Sequence, residues 1–443
     1  MPTTYRPYHP NQSFLLPPSP TEWLPEDHLA YFIADAIDAL DLSAFHRRYD
    51  GDGRRNQPFD PAMMVKVVVY GYATGVVSSR QIAKRLAEDV AFRVLASDNA
   101  PAHRTLREFR QLHGIELTQL FVQVVRVAAE AGLVKLGRLG IDGTKLRANA
   151  SKHKAMSYGR MQTEEARLTA EIAALLKQAE ATDAREDREF GTDRTGDELP
   201  AELRRRETRL TTIQAAKARL EARQREMDTA AGRSPDDLDP PGKKRGPTFK
   251  RAMGQPPAKA QDNFTDPESR IMKTGEGFQQ CYNAQAAVDE GSQLIVAVDL
   301  NACGSDVGQL LPMVAQVEAN LGHRHQAVLA DAGYASEANF AALQERNQVA
   351  CVALGREGKR NRVIDAATYP ATHRMAEHLA TEQGKADYRR RKVIPEPVFG
   401  WIKQVLGFRR VSRRGETAAR EEWNLVCLAM NLRRMHRLGW RPG

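Results

Sequence analysis

Cysteine is scarce. The four present, Cys281, Cys303, Cys351 and Cys427, stand far apart with no Cys-x-x-Cys pair. That excludes a disulfide framework or thiolate zinc site and reads as reduced, mostly buried thiols. Long apolar runs are missing too: the longest, residues 63–77, contains Lys66 and two glycines and is too short to span a bilayer. No charged-then-apolar leader pattern opens the sequence, and no GxxxxGK[ST] loop is present to cradle nucleotide phosphates. No histidine pair competes for zinc. The expectation is an intracellular, cytoplasmic protein with no membrane partner.

What is present fits a globular chain. Its 443 residues, 42% apolar and 27% charged, leave room for two or three domains with sizeable cores. The net charge is +9 with pI near 9.4, and the cations are clustered. Clustered positive charge favours a polyanionic partner, nucleic acid before membrane.

Residues 1–27, rich in proline and polar groups, read as an extended arm, and residues 28–134 as helices with short polar breaks. Ser78 with Gln81 suggests a capping box, after which Ile82 and Leu86 share a helix face. Asn99 and Pro101 mark the next start, with Leu106, Phe109 and Leu112 inward and Gly114 as the stop. On that second helix Arg104, Arg107 and Arg110 form a basic stripe. Two readings stay open: a helix-turn-helix entering a DNA groove, or a bundle with a solvated cationic face.

Residues 134–150 read as a strand centred on Asp142. Over 160–230, Leu168, Ile172 and Leu175, then Leu203, Leu210, Ile213, Leu220 and Met227, recur at helical or seven-residue spacing. This predicts an antiparallel hairpin of two long helices. Residues 239–261, rich in proline, glycine and lysine, predict a flexible basic linker. From 278 the pattern is α/β: two strands joined at Glu290-Gly291, a helix, the buried strand AVLA, a helix, the strand ACVAL, and a helix over 397–406. The fold class is α/β, a mixed sheet flanked by helices.

Three carboxylates stand out. Asp142 lies in a strand of small and apolar residues, where an unpaired anion is costly; a turn or cap role is the plainer alternative. Asp331 ends AVLA, at the strand edge where α/β sheets bind ligands, and Asp299 makes a near-equal case at the end of LIVAV. Asp306 reads as a helix N-cap. Glu396 sits between Pro395 and Pro397 in the first turn of a helix, where the dipole favours an anion. Lys403 lies seven residues on, on the same face. Three such carboxylates converging could hold two Mg²⁺ ions about 3.5–4 Å apart.

The stretches LGIDGTKLRANASK, NFTDPESRIMK, YNAQAAVD, VLADAGYAS and YRRRKVIPEPVFGWIKQVLGFRR, in this order, resemble the catalytic half of bacterial DDE-class insertion-sequence transposases. The N-terminal helical region resembles theirs as well. The resemblance implies a ribonuclease H-like core with Asp142, Asp331 and Glu396 as catalytic, metal-binding triad, and it favours Asp331 over Asp299. It implies DNA contacts by Tyr388, Lys403 and an arginine near the glutamate. Lys392 occupies the family's arginine position and Arg391 the place before it, so both are candidates.

The implied organisation is an N-terminal all-α DNA-binding region over 1–133 and the first part of the core over 134–159. A helical hairpin and basic linker are inserted over 160–261, and the rest of the core with basic C-terminal helices spans 262–443. The implied activity is Mg²⁺-dependent cleavage at the element's ends and strand transfer into target DNA, with Mn²⁺ as the alternative ion. Partners would be terminal inverted repeats and target DNA, bound by a homodimer associated with the nucleoid. The competing readings are a DNA-binding protein of the same fold without strand chemistry, and a nuclease that cuts but does not join.

Overall fold

The computed structural model describes residues 20–49, 58–190, 201–233, 251–355 and 364–442. Of the arm expected over 1–27, residues 1–19 lie outside them, as do the linker residues 239–250; the described end of the arm is not wholly extended, since Pro20–Trp23 form a 3-10 turn. Before the first strand the described elements are helical: α1 (Leu29–Asp38), α2 (Ser43–His46), α3 (Pro61–Ala73), α4 (Ser79–Glu88), α5 (Val90–Ala96), α6 (His103–Leu112) and α7 (Gly114–Glu130). The apolar run forms α3, which Asp60 caps by accepting from Met63 N at 2.9 Å, with Pro61 in the first turn. It is apolar nearly all round because it is buried nearly all round.

Three local expectations change. Ser78 precedes α4 but makes no side-chain cap. Leu112 is 40% exposed, because α6 ends there and the chain re-enters a helix at Gly114. Arg110 is no part of an exposed stripe: it is buried and donates to Tyr72 Oη (2.6 Å), Val77 O (3.1 Å) and Ser79 Oγ (2.5 Å). Tyr72 in turn donates to the buried Glu422 at 2.9 Å, which ties the N-terminal helices to the far end of the chain.

The second half contains β1 (Arg138–Arg147), β2 (Ala155–Ser157), α8 (Tyr158–Phe190), α9 (Ala201–Ala230), β3 (Gln261–Asn263), β4 (Arg270–Thr274), β5 (Gly277–Asp289) and β6 (Ile295–Asn301). Then come α10 (Leu310–Leu321), β7 (Ala327–Ala330), α11 (Glu337–Glu345), β8 (Val349–Val352), α12 (Pro370–Ala380), α13 (Glu382–Arg391), α14 (Pro395–Gln404) and α15 (Glu416–Arg437). The main sheet runs β4-β5-β1-β7-β8, with β6 also on β5. Strand β5 is antiparallel to β1, β4 and β6, whereas β1, β7 and β8 are parallel. This is the expected mixed sheet, with β4 as an addition that the sequence reading did not assign. Helix α15, buried along most of its length, packs against α7, α3 and β6.

The hairpin of α8 and α9 forms as expected and is antiparallel, since Glu171 meets Arg206 at 2.9 Å and Glu165 meets Lys217 at 2.8 Å. Leu168, Ile213 and Leu220 are buried in its seam, together with Met156 and Met161. Met227 does not join them; it is 53% exposed. The end of the expected linker is docked, not loose: Gly254 N donates to Asp228 and Tyr158 N to Ala260 O.

Candidate active site

In the parallel β1–β7 pair the last registered residues are Ile141 and Ala330. Asp142 and Asp331 follow them directly, so the two carboxylates start from neighbouring strands where the parallel pairing ends, Asp142 midway along β1 and Asp331 just past the end of β7. Each is oriented by its own backbone: Asp142 accepts from Gly143 N and Asp331 from Gly333 N, both at 2.8 Å. Burial pushes the Asp142 carboxyl up to about 6, and the charges of Asp331 and Asp306 add to the rise. The Gly143 N–H and the Arg391 charge work against it.

Asp306 is closer to this pair than the sequence suggested. It precedes the 3-10 turn Val307–Gln309 but does not cap it. Its Oδ1 accepts instead from Asn283 Nδ2 (2.6 Å) and Gln285 Nε2 (2.8 Å) and lies 3.5 Å from Lys145 Nζ. The point where a Gly333 Cβ would stand is 2.9 Å from Asp331 Oδ1 and 3.3 Å from Asp306 Oδ2. Tyr334, fully buried, donates to Gln285 Oε1, and burial with three nearby carboxylates pushes its phenol far above the usual range. Asn283 and Gln285 were legible as a signal: two amides on alternate positions of a buried strand, on one face, need a polar partner.

Helix α14 lies along β1. A Cβ on Gly140 would come within 2.7 Å of Ile394 Cγ2 and 2.9 Å of Pro395 Cδ, so only glycine admits the start of this helix. At its other end Lys403 Nζ donates to Thr144 Oγ1, and burial pulls the ammonium pKa down. Gly140, Asp142 and Thr144 share one strand face, the face α14 covers. Glu396 is in the first turn of this helix, exposed, and makes no hydrogen bond or ion pair among the described residues. Lys403 therefore pairs with β1 and not with Glu396.

Arg391, buried, has its guanidinium 5.5 Å from the Tyr388 ring centre. Its charge acts on Asp142, while Lys392 is exposed. Arg104 and Arg107 are exposed on α6. Asp299 is engaged elsewhere, in an ion pair with Arg420 at 2.9 Å.

For a metal ion the donor chemistry fits in part. Asp142 and Asp331 are hard oxygen ligands whose mutual repulsion a divalent cation would relieve. Among the described residues, no group of three or more His, Cys, Asp or Glu side chains is arranged to hold a metal ion. The two aspartates act on each other; Glu396 is exposed on the helix that lies along β1 and is not joined to them.

A family model described as "Transposase DDE domain" matches residues 248–432, and one described as "Transposase domain (DUF772)" matches residues 18–112. Asp331 and Glu396 fall within the first range and Arg104, Arg107 and Arg110 within the second; Asp142 precedes the first. Comparison with curated proteins and with solved structures finds no match. Among the described residues no helix is long and apolar enough to cross a membrane.

Proposed function

Because the chain belongs to the DDE transposases, we propose that it hydrolyses a phosphodiester at the ends of an insertion sequence and joins the freed 3′-hydroxyl to target DNA. The single observation that supports this most is the placing of Asp142 and Asp331 on neighbouring strands, where the parallel β1–β7 pairing ends, with the helix that carries Glu396 lying along β1. In this reading the core is ribonuclease H-like, as a DDE domain implies, and the two aspartates with Glu396 are the ligands of a divalent ion. Such an ion, when bound, polarises the scissile phosphate and activates the attacking oxygen.

The chain's own residues set the stage. The Gly143 and Gly333 N–H groups aim the two carboxylates, and Gln285, Asn283 and Lys145 hold Asp306 behind them. Arg391, stacked near Tyr388, and Lys403, on Thr144, flank the site with positive charge that suits the DNA backbone. Arg104 and Arg107 add an exposed cationic face on α6 for the same strand or its neighbour. Synapsis of two ends is best served by a homodimer on DNA, acting at the nucleoid.

The exposed, unbonded Glu396 favours a second reading, a DNA-binding protein of this fold without strand chemistry. One assay separates them. Full-length protein is incubated with DNA carrying the element's ends and Mg²⁺ or Mn²⁺, beside Asp142→Ala, Asp331→Ala and Glu396→Ala. The transposase reading expects nicked and joined products from the wild type and none from the variants. Binding without any nick supports the second reading, and nicks without joined products support a nuclease.

A further inference from the structure

A cavity of about 170 Å³ opens on the flank of α14 away from the paired aspartates, between that helix and the end of α15. Pro397, next in the chain to Glu396, and Trp401 line it from α14, Arg433, Arg434 and Arg437 from α15, and Gln293 lines it as well. By volume it would hold on the order of ten waters. Val398 and Met430 add apolar surface to the lining; three of the eight lining residues are arginines, and among the described residues none of them has an ion-pair partner.

The arginines are held in place by neutral groups. Arg433 donates to Ala73 O at 2.7 Å and Arg434 to Ser292 O at 2.7 Å. The Arg437 guanidinium lies 4.2 Å and that of Arg433 5.3 Å from the Trp401 ring centre, close enough for cation–π attraction. The Trp401 indole N–H is buried with no hydrogen-bond partner. Burial, with the neighbouring Arg437 charge, pulls the Arg433 pKa down. Like charges gathered with free donors and no acid among them are an anion site in want of an anion. The indole is already engaged by guanidinium groups, which argues against a stacked base.

We infer that this cavity is a binding site for a backbone phosphate of the DNA, taken up by Arg433, Arg434 and Arg437 and positioned by Trp401 about one and a half helical turns from Glu396. It rests on the reading of DNA as substrate. It adds a contact from the last helix to those from Tyr388, Arg391 and Lys403. A phosphate contact is sequence-independent, so any duplex can report it.

The test uses full-length protein and a short fluorescent duplex of arbitrary sequence, titrated at several salt concentrations. Arg437→Gln is expected to weaken binding several-fold and to reduce the slope of log affinity against log salt by about 1, while Arg437→Lys recovers most of the slope. In parallel, arginine modification of the wild type by phenylglyoxal, read by mass spectrometry, is expected to drop at Arg437 when duplex is present. That second measurement needs no variant and stands if Arg437→Gln misfolds. A wild type that binds duplex while Arg437 stays equally reactive, or an Arg437→Gln variant with unchanged affinity and slope, overturns the cavity alone. A wild type that does not bind DNA overturns the underlying reading as well.

Discussion

Asp142 and Asp331 stand on neighbouring parallel strands, one step past Ile141 and Ala330, the last residues those strands pair. Nothing in folding calls for two acids there. Their proximity, with Asp306 behind them, raises the cost of ionising a carboxyl that burial already disfavours. A carboxyl whose ionisation burial and a neighbouring acid both oppose is a candidate for chemistry.

The pH dependence of that cost has a definite sign. The folded-state pKa of Asp142, about 6, is above its ordinary value of 3.8, so the protonated form favours the folded chain. Its penalty is absent below about pH 4, grows through the window up to about 6, and is full above it. Asp142→Asn is therefore expected to raise stability at pH 7.5, in metal-free buffer, by up to about 3 kcal/mol. At the acid end of the window the gain should vanish. Denaturant titrations at the two pH values measure both.

Gly140→Ala tests the seat of α14. The new methyl would meet Ile394 Cγ2 at 2.7 Å and must push the helix start away from β1. Overpacking of this kind costs about 1–3 kcal/mol. Strand cleavage should fall far more than the melting temperature does, because Glu396 travels with the helix. Equal activity in the folded variant would show that the position of Glu396 does not matter.

Arg110→Ala is expected to destabilise the N-terminal helices by about 3 kcal/mol, since it leaves Tyr72 and Ser79 without their buried donor. Arg104→Ala and Arg107→Ala, both on exposed side chains, should leave stability within about 0.5 kcal/mol. Each should instead lower the salt dependence of DNA binding by about 1 in slope. Thermal melts and salt titrations of the three variants separate a structural arginine from two surface ones.

The parts of the fold with strong periodicity were legible. β1, the β5–β6 hairpin, β7, β8, α10, α11 and the α8–α9 pair lie where apolar spacing put them, and so do Asp142, midway along β1, and Asp331, just past the end of β7. What escaped was set by tertiary contact. Arg110 sits at stripe spacing with Arg104 and Arg107, and only the packing of α6 on α3 and α4 turns it inward. Asp306 looked like a cap because it precedes a helix, yet Asn283 and Gln285, distant in sequence, claim its carboxylate. Asp299 and Asp331 end similar strands. The ion pair of Asp299 with Arg420 distinguishes them, and it involves a helix more than a hundred residues away.

In the proposed site Asp142, Asp331 and Glu396 together surround the divalent metal. The measurement for this is to load the full chain, with duplex present, with Fe²⁺ in place of Mg²⁺ and to add ascorbate and peroxide. The radicals formed cut the polypeptide only next to the bound metal, and mass spectrometry maps the cuts. Cuts are expected near residues 142, 331 and 396, lost together in Asp142→Asn and competed away by Mg²⁺. Cuts confined to other segments, or cuts near 142 and 331 with none near 396, would contradict this arrangement.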